Sequence, residues 1–117
     1  MKNQSPRPGA PHFIALDVAL QIVRHLRVVV DVVRRHEPSL ASQIVRSASS
    51  VAANLAEGNG RAGRDRVYHF RVACGSAQET RAHLNLALAW GWVDETQIAP
   101  ALALLDQELA MLWKLTR

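Results

Sequence analysis

The side chains best equipped for chemistry crowd into one third of this sequence. Arg61, Arg64, Arg66 and Arg71 surround a glycine-rich stretch, with Tyr68 and His69 set among them. Guanidinium groups beside a flexible turn can follow a phosphate backbone, and an interleaved Tyr68 can stack on a base. The same residues also read as a solvated basic turn, balanced in part by Asp65 and Glu57. A second constellation joins Arg46, Asn54 and Glu57 to Ser76 and Glu79. If the segments on either side of Gly58 form antiparallel helices, these polar strips meet. The expected arrangement is a buried network in which Arg46 pairs with Glu79 or Glu57 and sets the helix register. Removing one partner of such a pair costs roughly 3–5 kcal/mol. A recognition surface is the alternative reading.

Other chemistries fit poorly. Gly58 and Gly63 are spaced like the glycines of a phosphate-binding loop, but Arg64 and Asp65 stand where that motif needs Lys and then Ser or Thr. The preceding segment is moreover helical rather than a strand. The histidines at 12, 25, 36, 69 and 83 contain no pair at metal-ligand spacing. Glu79 and His83 lie four apart, yet a di-iron bundle needs two Glu-x-x-His pairs and two further glutamates. The serines of the SASS run show no His and acid partners, so they are expected to face helix contacts. We therefore expect no catalytic residue, no cofactor and no metal.

The elements that must carry these residues follow from periodicity. Leu40, Ile44, Ala48, Val51 and Leu55 recur every three or four residues and define one face of a helix. Gln43, Arg46, Ser50, Asn54 and Glu57 define another. Gly58 is the expected stop, with its missing Cβ permitting a left-handed cap. An earlier helix is expected over 13–36, with Val18, Ile22, Leu26, Val29 and Val33 facing inward. Pro38 ends it, and Ser39 is a natural cap for the next helix. A third helix is expected from about Asp65 to Trp90, with an apolar line of Phe70, Ala73, Ala77, Leu84 and Leu88. Gly75 within it implies a neighbouring backbone too close for a side chain. Gly91 closes this helix, and Asp94 with Gln97 forms a capping box for the last. Pro100 should delay or kink the start of that helix. Beyond it, Ile98, Leu102, Leu105, Leu109 and Leu112 keep coiled-coil spacing. Trp90, Trp92 and Trp113 are expected to cluster where the third helix meets the fourth. The fold class is all-α: a single antiparallel up-down-up-down four-helix bundle over 13–117, preceded by a flexible N-terminal arm over 1–12.

Several of these features occur together in a known family. Gln43, Arg46, the SVAANLAEG run from Ser50 to Gly58, Arg61, Phe70, Ala73 and the GSAQE run from Gly75 to Glu79 resemble the four-helix-bundle proteins of 23S ribosomal RNA intervening sequences. That family is similar in turn to the accessory variability protein of diversity-generating retroelements, a ring-shaped pentamer. The resemblance implies a ring-like homo-oligomer, a homopentamer. It further implies a protein partner, a nucleic-acid enzyme such as a reverse transcriptase, whereas RNA or DNA is the partner that the basic turn itself suggests. The chain departs from the family in a shorter connection between its first two helices, which lacks an acidic segment, and in an aromatic missing from the first helix.

Composition agrees with this reading. The 117 residues suffice for one domain with one core, and an aromatic content of only 5% suits packed Ala, Leu and Val helices. The charge is unevenly spread: residues 1–81 hold 12 Lys and Arg against 6 Asp and Glu, whereas residues 82–117 hold 2 against 4. A basic surface of this kind suits nucleic acid. One cysteine, Cys74, gives no internal disulfide and fits a reducing compartment. The absence of a signal-like or spanning apolar run leads to an expectation of a cytoplasmic protein with no membrane partner. The function expected is that of a non-enzymatic oligomeric bundle that binds RNA or DNA through its basic turn. The alternative is an interaction scaffold for a nucleic-acid enzyme.

Overall fold

A computed structural model describes the backbone over 11–117 and the side chains over 14–117. Residues 1–10 of the expected arm lie outside the described residues. Four helices follow one another: α1 (Pro11–His36), α2 (Pro38–Asn59), α3 (Gly63–Ala89) and α4 (Glu95–Leu115). There is no strand among the described residues. Each helix packs on its neighbours in sequence, and α1 meets α4, so the four close a square antiparallel bundle.

The connections are short, and each has a local cause. Glu37 alone separates α1 from α2, at φ −151° and ψ 94°. The ring of Pro38 drives the preceding residue out of the helical region. Pro38 then occupies the first turn of α2, where no N–H is needed. Ser39 therefore sits inside the helix rather than capping it. At the far end of α2, Gly60 N–H returns to the Glu57 carbonyl at 3.1 Å, and Gly63 at φ 61° turns the chain into α3. After α3, Trp92 N–H bonds the Ala87 carbonyl and Gly91 N–H bonds that of Leu88, with Gly91 at φ 78°. This is a Schellman closure, which needs a left-handed residue at that point. Asp94 Oδ1 accepts from Gln97 N–H at 2.9 Å, and Gln97 Oε1 accepts from Asp94 N–H at 2.9 Å, completing the expected capping box. The Thr96 hydroxyl and Gln97 N–H hold the Asp94 carboxyl below its ordinary pKa. Pro100 neither delays α4 nor sets its boundary: the helix begins at Glu95, and only the N–H owed to the Thr96 carbonyl is lost.

The inward faces of α1 and α2 are the expected ones, fully buried along Val18–Val33 and Leu40–Leu55. Three details differ. The buried line of α4 is Ile98, Ala101, Leu105, Glu108 and Leu112, while Leu102 and Leu109 lie half-buried on its flanks. A glutamate thus occupies the core, with 0% exposure and, among the described residues, no hydrogen-bond partner for either oxygen. Burial pushes its carboxyl pKa up to about 8.

The two helix glycines exchange roles. Gly58 is no cap but a buried residue of α2, where an added Cβ would stand 2.7 Å from Phe70 Cε1. Gly75 is exposed, and a Cβ there would meet nothing within 4 Å. The close approach between α2 and α3 is therefore made at Gly58, because that is where Phe70 crosses.

The tryptophans also divide. Trp90 and Trp92 stack at 5.7 Å, and His36 stacks on Trp92 at 6.0 Å, at the end of the bundle where α1 meets α2 and α3 meets α4. Trp113 lies near the other end of α4, about 30 Å along the axis, with Arg117 over its ring.

Candidate nucleic-acid interface

Behind the basic turn, α2 and α3 are joined by a seam of hydroxyls and amides. Ser47 Oγ and Thr80 Oγ1 lie 2.7 Å apart, and Thr80 Oγ1 also reaches the Ser76 carbonyl at 2.8 Å, so two acceptors share one proton. Nearer the turn, Ser50 Oγ and Ser76 Oγ are 2.8 Å apart. Asn54 Nδ2 donates to the Ser50 carbonyl at 3.0 Å and to Ser50 Oγ at 3.1 Å. A carbonyl can only accept, which turns Asn54 Oδ1 toward His69 Nδ1 at 3.1 Å. That ring nitrogen must therefore carry the proton. His69 Nε2 then faces Asp65 Oδ1 at 3.9 Å. The helices present these groups to each other because Ser47, Ser50 and Asn54 repeat at helical spacing along one flank of α2.

The five residues expected to form one network belong to three separate arrangements. Asn54 and Ser76 sit in the seam. Glu57 takes part in the turn instead, accepting from Arg61 Nε at 2.9 Å. Glu79 holds His83 Nε2 at 3.3 Å. Arg46 is exposed, and among the described residues it pairs with neither Glu57 nor Glu79. Arg46 and Glu57 are eleven positions apart on α2, about 16 Å of helix, which no side-chain pair spans. Arg46 and Glu79 instead line an open groove of about 450 Å³, with Gln43, Ser47, Ser50 and Ser76 as its other walls. Ser47 and Ser50 of the SASS run face the contact with α3, as expected, whereas Ser49 is exposed.

The five residues of the basic turn also differ in their freedom. Arg61 is clasped by Glu57 on one side and by Asp65 Oδ2 at 2.7 Å on the other, which raises its pKa. Arg66 is half-buried with its guanidinium 5.4 Å from the Phe70 ring centroid. Arg64 and Arg71 are exposed and make no ion pair among the described residues. Tyr68 is 61% exposed. Residues 64, 68 and 71 lie at i, i+4 and i+7, so they share the outward face of α3. An aromatic ring flanked by two unclaimed guanidiniums is the arrangement that can hold a phosphate on each side of a stacked base.

Sequence reasoning left the clasp on Arg61 unresolved and passed over Glu108. Glu57 and Asp65 were expected only to balance the basic turn in part; that both converge on Arg61 depends on the fold of the connection between α2 and α3, which helical spacing does not reach. Glu108 falls on the 3-4-3-4 line that begins at Ile98, so its burial was legible. Cys74 is half-buried, and burial raises its thiol pKa.

Among the described residues, no helix is long and apolar enough to cross a membrane. No curated protein matches this chain. A solved structure from Bacteroides thetaiotaomicron VPI-5482, a protein of unknown function from the S23 ribosomal protein family, superposes with a TM-score of 0.80. It is 20% identical, and the alignment covers 91% of this chain and 97% of that one, so the likeness is one of fold. The family model for the 23S rRNA-intervening sequence protein matches residues 14–114. By that match, which takes in all four helices, the chain belongs to the 23S rRNA-intervening sequence protein family.

Proposed function

We propose that this chain is a non-enzymatic, homo-oligomeric bundle that binds RNA or DNA along the outward face of α3. The observation that carries the reading is the exposed row Arg64–Tyr68–Arg71, in which neither arginine has an internal carboxylate partner among the described residues. The guanidiniums take backbone phosphates and the phenol ring stacks on a base, a mode that tolerates any sequence. Arg61 has a different task. Tied to Glu57 and Asp65, it braces the turn from which α3 starts and contributes little to binding. In a ring of five subunits, as the family resemblance suggests, the row repeats and its field sums. No bond-making group is required. The Ser50 and Ser76 hydroxyls bond each other, and His69 is engaged with Asn54.

Fluorescence anisotropy with a labelled 20-nucleotide RNA, measured across a range of NaCl concentrations, tests the proposal. Binding should weaken steeply with salt, and the Arg64→Ala, Arg71→Ala double variant should lose most of it. Binding that ignores salt, or that survives the double substitution intact, would remove α3 as the contact surface.

A further inference from the structure

We infer that the end of the bundle opposite the basic turn is a receptor for an arginine side chain on a partner polypeptide. A groove of about 420 Å³ opens there between the start of α2 and the end of α3. Leu40 and Leu86 give it an apolar floor, Trp90 and Trp92 form an aromatic wall, and Glu37 stands at its rim. Trp90 is 65% exposed, although an indole normally buries most of its area. Its ring continues the Trp92–His36 stack, so a flat π-face is presented to solvent.

Charge selects the occupant. Glu37 makes no ion pair among the described residues, and Arg34, one turn before it, is held by Asp31 at 3.1 Å. Arg35, two residues before Glu37, is exposed and does not line the groove, so it sets one positive charge against the three carboxylates at this end. Asp94 and Glu95 add negative charge at the same end of the bundle. A phosphate backbone is poorly matched to this rim. A guanidinium suits it: the plane lies on Trp90, the methylene stem covers Leu86, and the N–H fork meets Glu37. The chain satisfies two of its own rings in this way, with Arg117 4.3 Å from the Trp113 centroid and Arg66 5.4 Å from that of Phe70. Trp90 has no such cation among the described residues. Because this rim and the Arg64–Tyr68–Arg71 row stand at opposite ends, neither inference depends on the other.

The test follows the three tryptophan indole N–H signals of the intact ¹⁵N-labelled chain by NMR, with N-acetyl-arginine methylamide as the probe. The Trp90 and Trp92 signals should move at roughly tenfold lower concentration than with the uncharged citrulline analogue, a ratio set by the cation–π and carboxylate contacts. The Trp113 signal should stay still. Glu37→Gln should weaken the response severalfold, Trp90→Ala should abolish the shift at Trp92, and the Arg64→Ala, Arg71→Ala variant should leave both unchanged. Three results would overturn the inference. One is an equal response to the arginine and citrulline probes, and another is a response to adenosine monophosphate in place of arginine. The third is a fall in sedimenting mass on Trp90→Ala, which would assign the face to a second copy of the chain.

Discussion

Gly58 on α2 lies flat against the edge of the Phe70 ring on α3, so near that a Cβ would fall 2.7 Å from Cε1 and 2.8 Å from Cδ1. Phe70 is 1% exposed, and the same Cβ would also stand 3.1 Å from His69 Cβ. Gly58→Ala should therefore destabilise the bundle by about 1–2 kcal/mol, since overpacking outweighs the gain in helix propensity. Gly75→Ala is the opposite case. Its site is open and helical, and the substitution should stabilise by about 0.5–1 kcal/mol. Urea midpoints of the two variants check both signs at once.

Glu108 makes stability fall as pH rises. Its folded pKa is about 8 against an ordinary value of 4.5, so the unfolded chain releases this proton first. The charge costs nothing below about pH 4.5, costs progressively more through the interval, and levels off above about pH 8 at roughly 3–5 kcal/mol. Glu108→Gln should remove this slope. Glu108→Leu should remove it and also stabilise, because no unpartnered polar atom remains in the core. Denaturation near pH 5 and near pH 9 provides the check. A glutamine variant with the same pH slope as the parent would refute the assignment.

Thr80→Val tests the seam. The methyl groups keep the volume, while Ser47 Oγ loses its partner across the interface and retains only its contact with the Ile44 carbonyl. A loss of about 1 kcal/mol is expected, the usual net worth of one hydrogen bond. A neutral result in chemical denaturation would show that hydroxyl pairing at this level is incidental.

Arg61→Ala and Arg64→Ala should separate bracing from binding. Each phosphate-contacting arginine removed should lower the salt slope of RNA binding by about one. Arg64→Ala and Arg71→Ala should each do so, whereas Arg61→Ala should leave the slope alone and cause a small, salt-sensitive loss of stability instead. Equal slopes in all three variants would contradict the division of roles.

The helices and their inward faces were legible because apolar residues at spacings of three and four leave little choice of face. The capping box and the Gly91 closure were legible for the same local reason. What escaped depends on contacts across the bundle. Gly58 and Gly75 look alike in a sequence, and only the position of Phe70 decides which of them needs to lack a side chain. The hydroxyl pairs join residues 26 and 33 positions apart, with no short-range signature. Glu108 was hidden by competition: a leucine line through Leu102 and Leu109 runs one residue along from the true one. Trp113 was placed with the other tryptophans by shared type, although the length of α4 carries it to the far end.

The paired hydroxyls and amides of α2 and α3 act like the teeth of a rack. They meet at three levels, Ser47 with Thr80, Ser50 with Ser76 and Asn54 with His69, spread over about 10 Å of axis. Greasy surfaces can slide past one another by small steps, but a shift of one turn here would keep at most one hydroxyl pair and would part Asn54 from His69. The height of α3 against its neighbour is thus indexed from inside, and whatever it displays outside is delivered at a fixed level.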